Sequence, residues 1–210
     1  MEEEKIRKGQ LFCPGDPELK KIKLRTHNLN LEYNKLPEEE LMAREEILRS
    51  MLGQIGKKTF LQGPIWFHYG THTRIGSHVF INFNLTVQDD AEVTISDHCD
   101  FGPNVTIVTP VHPMIPEERI QMKTKNGEPI RLCYAKPVHV GRACWIGANV
   151  TICPGVTIGD GCVIGAGSVV TRDIPARSFA AGVPCRVIRP ITQADSMAKH
   201  TELLGEYRVE

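Results

Sequence analysis

"VGRACWIGANVTICPGVTIGDGCVIGAGSVVTRDI", residues 140–174, decides the fold. Its aliphatic residues fall at Val140, Ile146, Ile152, Ile158, Ile164 and Val170, an unbroken spacing of six. A second series runs four residues behind: Cys144, Val150, Val156, Cys162, Ser168 and Ile174. The residue after most first-series positions is glycine: Gly141, Gly147, Gly159 and Gly165. An amphipathic helix drifts off such a period within two turns, and a lone strand repeats every two residues. Six residues suffice for one short strand and one corner, and three such units close a triangular coil. Coils then stack at strand spacing, about 4.8 Å, into a solenoid that is stable only when neighbours stack.

The same pattern precedes this stretch. Ile75, Ile81 and Val87 are followed four residues later by Val79, Leu85 and Ala91. The phase then slips by two and resumes at Ile95, Phe101 and Ile107, with Cys99 and Val105 behind. Two registers follow. Residues 18 apart stack in the later block, setting Cys144 under Cys162 inside the prism. Residues 20 apart stack in the earlier one, setting His78 on His98 and Asn84 on Asn104 at outward corners. Asparagines and glycines suit corners that require a left-handed backbone.

Residues 1–60 read as an α-helical cap, 61–190 as the solenoid, and 191–210 as a tail with one short helix. In "GDPELKKIKLRTHNLNLEYN" Asp16 is placed to cap a helix that Pro17 begins. "LPEEELMAREEILRSMLGQIG" repeats that logic, with Pro37 and three glutamates in a first turn and Gly53 or Gly56 as the stop. Residues 111–137 have no period of six and form a loop thrown out of one corner.

Composition narrows the function classes. Hydrophobic residues make up 41% of 210, enough for a sizeable core. Twenty-five basic and 25 acidic side chains balance, so no field of one sign recruits nucleic acid or anionic lipid. The start, MEEEKIRKGQ, has no apolar signal region, and no apolar run reaches a membrane span. A cytoplasmic protein is expected. The seven cysteines include no C-x-x-C pair and are expected to act as small buried apolar residues rather than as metal ligands or disulfides.

Five segments carry a resemblance: "KGQLFCPGDPEL", "FINFNLTVQDDAEVTI", "FGPNVTIVTPVHP", "CWIGANVTICPGVTIGDGCVIGAGSVVTRDIP" and "AAGVPCRVIRPI". In this order they resemble the maltose/galactoside O-acetyltransferase family of hexapeptide-repeat acyltransferases. The resemblance implies a mainly β fold, a left-handed parallel β-helix, assembled as a homotrimer with active sites between subunits. It also implies acetyl-CoA as co-substrate, a small-molecule hydroxyl acceptor of the sugar or glycoside class, and no metal. The apolar outward positions Phe80, Trp145, Val163 and Val169 fit a subunit contact.

Site residues follow residue by residue. In "VTPVHPMIPEER" the resemblance makes His112 the general base, and the chemistry suits it. A hydroxyl is a poor nucleophile until its proton has somewhere to go, and neutral imidazole accepts one near pH 7. Pro110 and Pro113 stiffen the loop root. Asn82 matches the position that stabilises the oxyanion. Ala148 and Ala166 match small positions along the pantetheine arm, with Trp145 beside it. Thr171 and Arg172 match a Thr-Lys pair, with arginine in place of lysine. Arg186 and Arg189 match basic residues near the nucleotide phosphates. For the acceptor, Asp90 matches a sugar-binding aspartate, and His68 stands where serine is frequent. Asp16 is either the acidic residue that reaches the acceptor or a helix cap alone. An antibiotic, serine or a nucleotide sugar is an alternative acceptor. A different reaction class, a zinc enzyme like the γ-class carbonic anhydrases, would need three ligands, of which His78 and His98 supply two at most.

Overall fold

The computed structural model describes residues 1–209. Three helices open the chain: α1 (Glu2–Arg7), α2 (Pro17–Lys35) and α3 (Leu41–Met51). The chain then winds into a left-handed parallel β-helix with three faces. The first face holds Gln54–Ile55, Thr73–Ile75, Val93–Ile95, Val138–Val140 and Thr157–Ile158. The second runs from Phe60–Leu61 through Phe80–Ile81, Asp100–Phe101, Trp145–Ile146 and Val163–Ile164 to Ser178–Ala181. The third holds Ile65–Phe67, Leu85–Gln88, Thr106–Val108, Thr151–Ile152 and Val169–Val170. Right-handed crossovers are the rule for parallel strands, and this class of solenoid is the exception.

Both registers are realised. Ile75 pairs with Ile95, and Trp145 with Val163, offsets of 20 and 18. Both aliphatic series are buried in one continuous core. Cys144 and Cys162 lie inside it, and all seven cysteines are free thiols. His78 stacks flat on His98 with ring centroids 4.8 Å apart, both at positive φ. Asn84, Asn104 and Asn149 form a corner ladder, each amide donating to the next at 3.0 and 3.1 Å, all left-handed.

The cap departs from expectation in three ways. The solenoid begins before residue 60, because Gln54–Ile55 already pairs with Arg74–Ile75. An additional helix, α1, holds residues 2–7. The third helix starts at Leu41 rather than Pro37, so the three glutamates precede its first turn, with Glu40 at the N-cap. Asp16 caps α2 as expected, accepting from the amides of Glu18 and Leu19 at 3.0 and 3.3 Å.

The inner side of α2 mixes apolar Leu19 and Tyr33 with polar Thr26 and Asn30. Strand Ile65–Phe67 lies at the edge of the third face, with backbone groups that no strand pairs. Asn34 covers Ile65, donating to its carbonyl at 2.9 Å and accepting from its amide at 2.8 Å. Asn30 does the same for Phe67, and Thr26 donates to the carbonyl of Tyr69. The helix thus hydrogen-bonds a sheet edge that would otherwise invite pairing with another chain. Arg44 of α3 closes the neighbouring edge, donating to the carbonyls of Leu61 and Gln62 and to the Tyr33 hydroxyl.

The excursion leaves the corner between the third and first faces and is not plain loop. Its root is an antiparallel ribbon, Pro110↔Ala135 and Val111↔Tyr134. A short helix, α4 (Pro116–Gln121), follows. The returning strand bridges to the N-terminal segment, Cys133 exchanging both backbone hydrogen bonds with Phe12. Past the last coil, Arg186–Pro190 turns back antiparallel on Ser178–Ala181, and one helical turn, Thr201–Leu204, lies in the tail.

Candidate functional site

Two corners of the prism gather most of the chemistry. The first follows the second face. Backbone hydrogen bonds stack Gln62, Asn82, Gly102, Gly147, Gly165 and Ala181 along it, each amide donating to the carbonyl of the coil beyond for the first five. Below Asn82 this column has almost no side chains. A Cβ on Gly102 would sit 2.6 Å from the Ala148 nitrogen, and one on Gly147 2.6 Å from that of Ala166. The result is a groove walled by backbone. Ala166 is exposed along it and Ala148 half-buried. Trp145, on the adjoining face, is 58% exposed. Asn82 heads the side-chain-poor stretch, one coil after Gln62. Its Oδ1 accepts from the Phe83 amide at 2.8 Å, which fixes the side-chain orientation and leaves Nδ2 as the free donor end.

The second corner follows the third face and carries His68, Tyr69, His72, Asp89, Asp90 and the root of the excursion with His112. His112 is exposed, the following Pro113 is buried, and Arg119 of α4 donates to the Pro113 carbonyl at 3.1 Å. Asp90 is buried, and its Oδ2 has no hydrogen-bond partner among the described residues. Burial raises the Asp90 carboxyl above its ordinary range, while the charges of Lys23, His72 and His112 pull it back. The neighbouring Asp89 is fully engaged, accepting from the Tyr69 amide and the Thr73 hydroxyl.

Tyr69 is the hub of this corner. Its ring stacks on His72 at 4.8 Å and meets His68 edge-on at 5.1 Å, with the Lys23 ammonium 5.6 Å from its centroid. Its buried hydroxyl has no partner among the described residues. Burial, then the nearby acidic groups Asp90, Cys133, Asp89 and Asp16, raise its phenol. Burial, then Lys23 and His27, hold His68 down to about 4, so its imidazole is neutral at pH 7. Replacing Lys23 with methionine should raise the His68 midpoint, followed by NMR of its ring. It should still fall short of the ordinary ~6.5, because burial is the larger cause. An unchanged midpoint would place the ammonium's field elsewhere.

Asp16, His68, Asp90 and His112 therefore share one corner. Thr171 and Arg172 follow strand Val169–Val170, so they sit on this second corner rather than with Ala148 and Ala166. Both are exposed. Arg186 is exposed at the last strand. Arg189 is already paired, its guanidinium gripping both carboxylate oxygens of Asp195 at 2.6 and 2.9 Å. Sequence reasoning passed over Lys23 and Tyr69. Lys23 lies seven residues past Asp16, two turns along one helix face, and that spacing was the available signal. His78 and His98 form a face-to-face ring stack, and among the described residues no third potential ligand joins them in a metal-binding group.

A three-faced parallel coil with a glycine-walled corner is the scaffold of the hexapeptide-repeat transferases. Residues 137–172 match the bacterial transferase hexapeptide model, and residues 5–56 match the maltose acetyltransferase hexapeptide capping motif. The galactoside O-acetyltransferase of Escherichia coli K12 is 44% identical over 210 residues, spanning 99% of this chain and 96% of that protein. A solved structure of a galactoside acetyltransferase in complex with coenzyme A superposes with a TM-score of 0.85 at 41% identity, covering 100% of this chain and 98% of that one. A maltose O-acetyltransferase from Clostridium difficile 630 gives 0.84 at 37% identity, covering 92% and 98%. The chain belongs to the maltose/galactoside O-acetyltransferase family of hexapeptide-repeat acyltransferases and is an acetyl-transferring enzyme.

Proposed function

We propose that the protein moves the acetyl group of acetyl-CoA to a hydroxyl of a sugar or glycoside by direct attack in a ternary complex. The acceptor oxygen adds to the thioester carbonyl as His112 takes its proton. The oxyanion so formed accepts from Asn82 Nδ2. Collapse breaks the carbon–sulfur bond, and the departing thiolate recovers the proton from the His112 imidazolium. Atoms and charge balance without a metal or a covalent enzyme intermediate. A thiol route is disfavoured because Cys144 and Cys162 point into the core, where its shared hydrogen bond with Cys144 and then burial raise the Cys162 thiol.

The observation that carries this reading is the full-length likeness to galactoside O-acetyltransferase, together with a side-chain-free groove that ends at Asn82. Such a groove suits a thin pantetheine arm, and its head is where the thioester carbonyl would lie. Trp145 flanks it. Thr171 and Arg172, on the His112 corner, would reach the nucleotide end from the neighbouring copy, Arg186 adds an exposed cation, and Arg189 would join them only by leaving Asp195. Asp90 and His68 are assigned to the acceptor, with Asp16 reaching it only if its capping role allows.

Within one chain the corner bearing Asn82 precedes the third face and the corner bearing His112 follows it. One subunit cannot bring both to a single carbonyl. A homotrimer resolves this by setting the His112 corner of one copy against the Asn82 corner of the next. The exposed Phe80, Phe83 and Trp145 offer apolar surface for that contact. Seven free thiols fit the reducing cytoplasm, and no helix among the described residues is long and apolar enough to cross a membrane.

The test is acceptor-dependent thiol release from acetyl-CoA over a panel of mono- and disaccharides, antibiotics and serine. Asn82→Ala should lower kcat by about 10²–10³ with a sugar acceptor, the usual cost of one oxyanion donor. Turnover unaffected by that substitution would remove Asn82 from the reaction, and release with an antibiotic or serine alone would replace the sugar.

A further inference from the structure

Two arginines mark the end of the small-residue groove farthest from Asn82. Ala181 ends the column that runs through Gly102, Gly147 and Gly165, and it stands opposite Arg186 in the antiparallel pair of the last two strands. Arg189 stands opposite Phe179, which continues the outward stripe of Trp145 and Val163. Its guanidinium carbon lies 5.7 Å from the Phe179 ring centroid. The two cations differ in one respect. Arg186 donates to the Cys185 carbonyl at 2.8 Å and has no ion pair among the described residues. Arg189 is already matched by a carboxylate of the chain's own tail.

That match is a built contact. Arg189 Nη2 and Nη1 donate to the two carboxylate oxygens of Asp195 at 2.6 and 2.9 Å, and Nη1 also donates to the Pro190 carbonyl at 3.1 Å. Asp195 is held in turn, because its Oδ2 accepts from the Thr192 amide at 2.9 Å in a capping box. The tail that carries it is docked where the Ile191 amide donates to the Arg177 carbonyl at 2.7 Å. Hydrogen bonds from Arg189 and then from the Thr192 amide hold the Asp195 carboxyl down to about 2, so it is ionised near neutral pH.

We propose that Asp195 is a specificity-determining residue for the donor: it occupies the Arg189 fork, so a nucleotide phosphate gains Arg189 only by displacing the chain's own carboxylate. This rests on the acetyl-CoA reading and adds a competitor to it. Carboxylate and phosphate use the same planar fork, which is why one can stand in for the other. The exchange holds the nucleotide less tightly than two free arginines would. It applies equally to the CoA product, whose phosphates are those of the donor. Binding withheld at this end lowers affinity for substrate and product alike and favours release of CoA after transfer.

The experiment is calorimetric titration with coenzyme A, which needs no acceptor. Asp195→Asn removes the charge and keeps an amide oxygen that can accept from Thr192. It should tighten CoA binding by about two- to fivefold, the worth of an exposed ion pair. Asp195→Ser also keeps an acceptor for Thr192 and should do the same if asparagine disturbs the turn. In an Arg189→Ala background either substitution should change nothing, which confines the effect to this pair. Weaker binding on loss of the carboxylate overturns the proposal, because Asp195 would then hold Arg189 in place for the phosphate. Unchanged binding overturns it as well. A gain that survives Arg189→Ala overturns it too, since the carboxylate would then act by its field alone. Wild-type protein that binds no CoA at all removes the donor reading itself, and the competition with it, before any variant is compared.

Discussion

His112→Ala is expected to lower turnover by about 10²–10⁴, the range spanned by general acid–base catalysis. The fold should be indifferent to the change. His112 is exposed, and the stiffness of its segment comes from neighbours: the ribbon joining Val111 to Tyr134, and buried Pro113 held through Arg119. The melting temperature should therefore stay within about 2 °C of wild type. The substitution should also spare the Michaelis constant for acetyl-CoA, because the proposed role of His112 is on the acceptor hydroxyl and the groove proposed for the donor is walled by backbone and small residues. A fall in kcat with both other quantities unchanged identifies a group used only in the transition state. Full activity would discard His112 as the base. A variant that loses activity and donor binding together would make His112 part of the donor site instead.

Much of this architecture can be read from the chain because its signal is redundant. Each inward position from Ile75 to Ile174 repeats the same requirement, so the two-residue slip before Ile95 stands out and yields the correct register on either side. Corner asparagines are legible for a related reason: Asn84, Asn104 and Asn149 are a left-handed residue type at a fixed phase. The cap is less legible because its contacts are not periodic. Asn30 and Asn34 look like ordinary surface residues, and their role depends on a strand edge 31–37 residues away. Handedness leaves no mark in spacing. The corner after the third face joins Lys23 of α2 to Tyr69 and Asp90 across separate coils, so no local motif contains it. Asp16 illustrates the overlap of roles. Its capping bonds are real, and its charge also reaches Tyr69.

Gly147→Val should cost more than about 3 kcal/mol and lower the melting temperature by roughly 6–12 °C for a chain of this size. Its added Cβ would lie 2.6 Å from the nitrogen of Ala166, 2.8 Å from the carbonyl oxygen of Ile164 and 2.9 Å from the Ala166 Cα. All three are backbone atoms of the next coil, so no side chain can swing aside. The coils must part, and parting them strains the hydrogen bond from the Gly147 amide to Ile164. In a solenoid each coil touches only its neighbours, so the loss is not shared across a wider core. Gly167→Ala separates this steric cost from backbone strain. Gly167 has φ of 71° and nothing within 4 Å of its absent Cβ, so that change should cost only the left-handed penalty of about 1–2 kcal/mol. Thermal unfolding of both variants decides the matter. A Gly147→Val protein that melts no lower than Gly167→Ala would mean the coils can open at that corner without cost, and a groove that loose could not hold a pantetheine arm in register with Asn82.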